Sequence, residues 1–161
     1  MSFVIREAEP KDAAAILRLI RALAEYEKML DDVHTDEARI SATLFGERRK
    51  AFCDIAEVAG EPVGYAIWLY SYSTFSGRHG IYLEDLFVLP EHRGSGIGKG
   101  LLQGLAKRCV REGLGRLDWA VLDWNDPSIG FYRSLGAQPS EGWTSFGLRG
   151  DALVALGSGE T

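Results

Sequence analysis

Two hydrophobic periods alternate along the chain, and their order predicts the architecture. Phe3-Val4-Ile5-Arg6 is short and apolar and reads as a strand. Over residues 10–27 the apolar positions Ile16, Leu19, Ile20 and Leu23 recur at helical spacing, with Pro10 in the first turn. A second helix is expected to start at Thr35, with Thr35 as its cap, Asp36 and Glu37 at its positive end and Gly46 as its stop. Residues 52–58 and 63–72 read as strands. Ala59-Gly60-Glu61-Pro62 between them is turn chemistry and predicts an antiparallel hairpin. Residues 73–80 form a polar loop. The run 81–89 is a central strand interrupted only by Glu84 and Asp85 and ended by Pro90. Ile97, Leu101, Leu105 and Cys109, with Leu102 and Ala106 beside them, return to helical spacing. Residues 117–122 are the next strand, Asp126-Pro127 opens a helix that Gly136 closes, 143–148 is a last strand, and 151–156 a final helical turn. The order implies an α/β (α+β) single domain over residues 1–161, with a central mixed, mostly antiparallel sheet flanked by helices.

Composition narrows the function classes. The 161 residues are 46% hydrophobic, enough for one globular core. A net charge of −5 argues against a general nucleic-acid partner and is compatible with a cationic substrate. Cys53 and Cys109 lie in apolar segments and are read as small core hydrophobes, not as a disulfide or metal pair. His34, His79 and His92 are scattered, so no metal site is expected. The N-terminus has no charged-then-apolar leader pattern, and the longest uncharged run, 62–77, is too short and polar to span a bilayer. The expectation is a soluble cytoplasmic protein with no membrane partner.

The chemistry concentrates at Arg93-Gly94-Ser95-Gly96-Ile97-Gly98-Lys99, between the central strand and the long helix. A glycine-rich turn feeding a helix N-terminus is a ready anion site. A Walker A loop fails, because Arg93 stands at its first glycine and Gly100 follows Lys99 where Ser or Thr is needed. The dinucleotide fingerprint fails for want of a third glycine at Lys99. Glycines at 94, 96, 98 and 100 open a helix poorly, each costing about 1 kcal/mol against Ala in a helix interior. A phosphate cradle explains them better than a flexible turn. On the strand, Glu84 and Asp85 point to opposite faces. Glu84, in a mostly buried strand, is expected to have a raised pKa and to be able to relay a proton; an ion pair or a hydrogen-bonding carboxylate at a strand end is the alternative.

Arg-x-x-Gly-x-Gly at Arg93, Gly96 and Gly98 resembles the pyrophosphate loop of the GCN5-related N-acetyltransferases (GNAT), which grip coenzyme A. The resemblance runs from Phe3 to about Leu156. FVIREA, ILRLIRALAEYEKM, YLEDLFV, RGSGIG, VLDWN and FYRSLGA followed by EGW are similar to the diamine acetyltransferase group. YSTFSGR and AVLDWN look more like its thialysine N-ε-acetyltransferase branch, although Phe75 replaces the usual Trp. The resemblance implies a GNAT fold, acetyl-CoA as co-substrate and a homodimer. It places Glu84 at the position linked to amine deprotonation and binding. It places Leu86, Phe87 and Val88 at the segment whose backbone binds the pantetheine arm, and Tyr132 at the general acid. Asn125, Ser128 and Arg133 fall at coenzyme contacts, and Tyr26, Glu27, Asp118, Trp119 and Glu141 at acceptor contacts.

The reading is acetyl transfer from acetyl-CoA to a primary amine of a small molecule, a thialysine- or lysine-like amino acid before a polyamine, directly within a ternary complex. A phenol of pKa about 10 can protonate a thiolate whose conjugate acid has pKa about 8.5. Neither cysteine is placed as a nucleophile, which disfavours an acyl-enzyme. The alternatives are a non-catalytic acyl-CoA sensor and an acetyltransferase for protein or aminoglycoside amines.

Overall fold

The computed structural model describes residues 2–159. Its strands are β1 (Val4–Glu7), β2 (Phe52–Val58), β3 (Glu61–Ser73), β4 (Arg78–Val88) and β5 (Leu117–Trp119). Its helices are α1 (Ala13–Tyr26), α2 (Glu37–Phe45), α3 (Ile97–Glu112), α4 (Asp126–Ser134) and α5 (Gly150–Ser158). The five strands form one sheet in the order β1-β2-β3-β4-β5. All pairs are antiparallel except β4 with β5, which is parallel and needs α3 as its crossover. This is the expected mixed sheet. The chain divides into two compact units, one up to Ala120 and one from Val121.

Period 2 along the strands separates two apolar faces. On one, Cys53, Ile55, Tyr65 and Phe87 pack with Ile16 and Leu19 of α1 and Ile40 and Leu44 of α2. Each fully buried Leu or Ile contributes about 1.5–3 kcal/mol. The other face meets α3. The Arg108 guanidinium lies 4.8 Å over the Trp68 ring. A Cβ on Gly100 would come within 2.9 Å of Phe3 and Ile5, so glycine lets α3 approach β1 this closely. Arg6 ties β1 to the turn before α1 through a two-bond pair with Asp12 (2.7 and 2.9 Å) and a hydrogen bond to Glu57 on β2. That pairing holds the Asp12 carboxyl below the usual carboxylate range.

Several expectations need correction. The first helix opens with a separate 3-10 turn, Pro10–Asp12. Asp36, not Thr35, caps α2: its carboxylate accepts from the Arg39 N–H at 2.8 Å, as Asp does well at a positive helix end. The loop after β3 shrinks to residues 74–77. Ser71, Tyr72 and Ser73 pair with Gly80, His79 and Arg78, because ladder hydrogen bonds are indifferent to side-chain polarity. The turn before β3 is only Ala59-Gly60, with φ of 51° and 84°, the left-handed pair a two-residue hairpin requires. β5 stops at Trp119 instead of 122. No strand forms over 143–148 among the described residues. Trp143 and Phe146 are an odd number of positions apart, so an extended chain would put them on opposite faces, and both are exposed.

Candidate active site

β4 carries the centre of the site, and its pairing is irregular there. Trp68 stands opposite Leu83 and Ile67 opposite Asp85, so Glu84 is an extra residue without a partner, a β-bulge. The pairing with β5 ends at the same point, at Leu83–Trp119. Beyond it, among the described residues, Glu84 to Val88 has no strand on that side. Leu86, Phe87 and Val88, expected to offer backbone groups, lie on this stretch; Phe87 and Val88 are also buried core.

The bulge overturns the expected burial of Glu84, whose side chain is exposed. The carboxyl that burial raises on this strand is Asp85's. Asp85 turns to the α1 face, where the Tyr65 hydroxyl donates to its Oδ2 at 3.1 Å. That hydrogen bond opposes the shift, and the charge of Glu84 adds to it. Tyr65 is fully buried, and burial beside Asp85 holds its phenol well above the ordinary range. Glu27 follows α1 directly; burial, and then the charge of Asp85, raise its carboxyl. Glu27, Asp85 and Glu84 are therefore an electrostatically coupled group reached from α1 and β4. The partnership of Tyr65 with Asp85 was missed from sequence. Its signal is a phenol at an inward position of a strand, and only the cross-strand register identifies the acceptor.

The glycine-rich turn takes the form a cradle needs. Gly94 and Gly96 have φ of 76° and 87°, in the left-handed region, and Gly96 caps α3. The first intrahelical bond runs from the Gly100 N–H to the Gly96 carbonyl, so the N–H groups of Ile97, Gly98 and Lys99 have no acceptor within the helix. The Ser95 hydroxyl donates back to the His92 carbonyl and folds the turn. These residues fit a phosphate-bearing group. Arg93 also has contacts within the protein. Its Nε donates to the Val88 carbonyl at 2.9 Å, and its guanidinium lies 4.9 Å from the Tyr26 ring and 5.3 Å from the Phe87 ring. It staples the turn to the ends of α1 and β4, as a planar guanidinium can. Tyr26 is thereby part of this packing.

On β5, Asp118 pairs with the Arg116 Nε at 2.8 Å, a half-exposed surface bridge, and Trp119 ends the strand. In the unit from Val121, Asn125 is buried and caps α4, its Oδ1 accepting from the Ser128 N–H at 3.4 Å. Tyr132 lies in the last turn of α4, with its ring 5.4 Å from that of Phe131. Arg133 beside it is exposed, and Glu141 is exposed in a segment without helix or strand.

Burial raises both thiols, Cys53 the more strongly, so neither is a ready thiolate. No helix among the described residues is long and apolar enough to cross a membrane.

Residues 15–137 match the acetyltransferase (GNAT) family model, across the division between the two units. A thialysine N-epsilon-acetyltransferase of Bos taurus is 46% identical, with 97% of this chain and 98% of that protein covered. An L-ornithine N5-acetyltransferase of Arabidopsis thaliana is 28% identical, covering 94% and 86%. The solved structure of an integron cassette protein from V. cholerae superposes with a TM-score of 0.82 over 98% of each chain, at 24% identity, a likeness of fold. With the parallel β4–β5 step, the bulge and the glycine-capped α3 already in place, this match assigns the chain to the GNAT acetyltransferases.

Proposed function

We propose that the protein is one acetyltransferase domain that moves acetyl from acetyl-CoA to a primary amine of a small molecule. Thialysine- or lysine-like amino acids come first and polyamines second. The 46% identity to the Bos taurus thialysine N-epsilon-acetyltransferase, over nearly both whole lengths, carries this reading. The L-ornithine relative supports a small amino acid bearing a side-chain amine.

In this reading acetyl-CoA supplies an activated thioester. The N–H groups of Ile97, Gly98 and Lys99 hold its phosphates, with Gly94, Ser95 and Gly96 shaping the turn and Arg93 fixing it to β4. The backbone of Leu86, Phe87 and Val88, unpaired by β5, aligns the pantetheine arm, joined by Asn125, Ser128 and Arg133. A lysine-like ammonium with pKa near 10.4 must lose a proton before it attacks. Glu84, turned out by the bulge, receives that proton directly or through water. Tyr132 returns a proton to the leaving thiolate. Tyr26, Glu27, Asp118, Trp119 and Glu141 line the acceptor side, where carboxylates suit an ammonium. The active form is a cytoplasmic homodimer, which light scattering on the purified protein tests.

The deciding assay is CoA release from acetyl-CoA with thialysine, lysine, spermidine, putrescine and an aminoglycoside. Turnover led by thialysine is expected. Tyr132→Phe should bind acetyl-CoA normally and lose about 10²–10⁴ in kcat, the usual worth of a positioned acid. Acetyl-CoA binding without turnover across the panel would favour the sensor reading.

A further inference from the structure

The bulge that exposes Glu84 needs something to hold it. In a regular strand, residues two apart share a face. Here Leu83 and Asp85 do not. Leu83 is opposite Trp68 and Asp85 opposite Ile67, and Trp68 and Ile67 are consecutive, so they lie on opposite faces. Leu83 is buried at 2% exposure on the α3 side. Asp85 is bonded to Tyr65 on the α1 side. Glu84 is the residue left over between these two anchors. If the bulge slid by one position, Glu84 would take the place opposite Ile67 and turn into the apolar α1 face. The apolar anchor alone does not prevent this, because Leu83 keeps its place in either register. The polar anchor distinguishes them by side-chain length: in the observed register the short carboxylate of Asp85 accepts from the hydroxyl of Tyr65, a tyrosine wholly buried and fixed by core packing, whereas the slid register would bring the longer Glu84 side chain to that face and leave Asp85 as the extra residue.

We propose that Tyr65 and Asp85 are positioning residues: their hydrogen bond locks the β4 bulge in the register that presents Glu84, and they act on the reaction through Glu84 without touching substrate. The inference rests on the proposed role of Glu84 for its effect on turnover, but not for its effect on the strand. It requires an acceptor at position 85, not a charge. Asn can accept from the Tyr65 hydroxyl, whereas Ala cannot.

The test uses the full chain with Tyr65→Phe, Asp85→Ala, Asp85→Asn and Glu84→Gln, each checked by circular dichroism. Kinetics are read as kcat and KM for acetyl-CoA and thialysine, and the strand as amide hydrogen exchange over residues 83–86. Tyr65→Phe and Asp85→Ala should lower kcat about tenfold or more while KM for acetyl-CoA stays within about twofold, the pattern of a misplaced reacting group. Both should speed exchange over the bulge, and Asp85→Asn should restore both readouts to near wild type. Added to Glu84→Gln, Tyr65→Phe should cost little further activity, since the two changes disable one device. An Asp85→Asn variant as impaired as Asp85→Ala would overturn the lock, because charge would then be what matters. Unchanged exchange in Tyr65→Phe would overturn it as well. An active Glu84→Gln enzyme would refute the proposed base while leaving the exchange result to judge the lock.

Discussion

Asp54 offers a quantitative test of the α3 face. It sits on β2 at 6% exposure. Arg108 of α3 stands 4.0 Å away and is more closely engaged with Glu7 at 3.0 Å. Burial outweighs the attraction of Arg108, the charge of Glu7 adds to burial, and the Asp54 carboxyl is pushed up from 3.8 to about 6. The folded state therefore binds this proton more tightly than the unfolded chain. Stability attributable to Asp54 is intact below about pH 4, declines as pH rises from about 4 to about 6, and stays reduced above that. At 1.36 kcal/mol per unit, the loss is about 3 kcal/mol. Asp54→Asn removes the titration and leaves the shape. Urea unfolding of both proteins from pH 4 to pH 7.5 isolates the effect, because groups such as Asp12, whose lowered carboxyl acts with the opposite sign, cancel in the difference. The variant should gain on wild type as pH rises, by up to about 3 kcal/mol. A flat difference, or wild type gaining on the variant, would refute the reasoning and mean that Arg108 fully compensates the buried charge.

Two further outcomes follow from the same helix and the opposite face. Gly104 in α3 has open space around an added Cβ, so Gly104→Ala should stabilise by about 1 kcal/mol, or about 2–4 °C in Tm. Gly100→Ala should not show that gain, because Phe3 and Ile5 stand 2.9 Å from the new carbon; a calorimetric scan of both variants decides. Cys53 and Cys109 should resist iodoacetamide in the native protein at pH 8 and react in urea, as mass spectrometry would show, since both thiols are buried and raised.

Hydrophobic period was enough to find β1, the hairpin strands, the central strand and α3, because their apolar positions are dense enough to mark an element whichever face each one meets. It failed where face and element separate. Ser73, Arg78, His79 and Gly80 are strand by virtue of their partners, and 143–148 is apolar without a single apolar side. The glycine-rich turn was legible because Gly94 and Gly96 occupy backbone conformations other residues avoid. The roles within it were less so: Arg93 belongs to the motif, yet its contacts are with Val88, Tyr26 and Phe87, none of which the motif specifies. Glu84 and Asp85 were visible as an acidic pair in an apolar run. Which of them is buried depended on a one-residue bulge, a property of the pairing of two strands that neither sequence segment carries alone.

The strand order repeats the order of synthesis, and this separates two capacities in time. A ribosome that has released the chain through Glu112 has already supplied β1 to β4, the bulge, the glycine-capped turn and all of α3. β3 and β4 each pair with the strand made just before them across a short turn, so that meander closes by local steps of low entropic cost, while β1 joins β2 across α1 and α2. β5 is added afterwards as a parallel edge, and Asn125, Tyr132 and Glu141 emerge later still, in a unit that begins at Val121. The nascent enzyme would thus acquire the means of holding a phosphate before it acquires the phenol proposed to finish the transfer. The glycine-rich turn and the proposed general acid are written on separate stretches of the chain, open to evolutionary change one at a time.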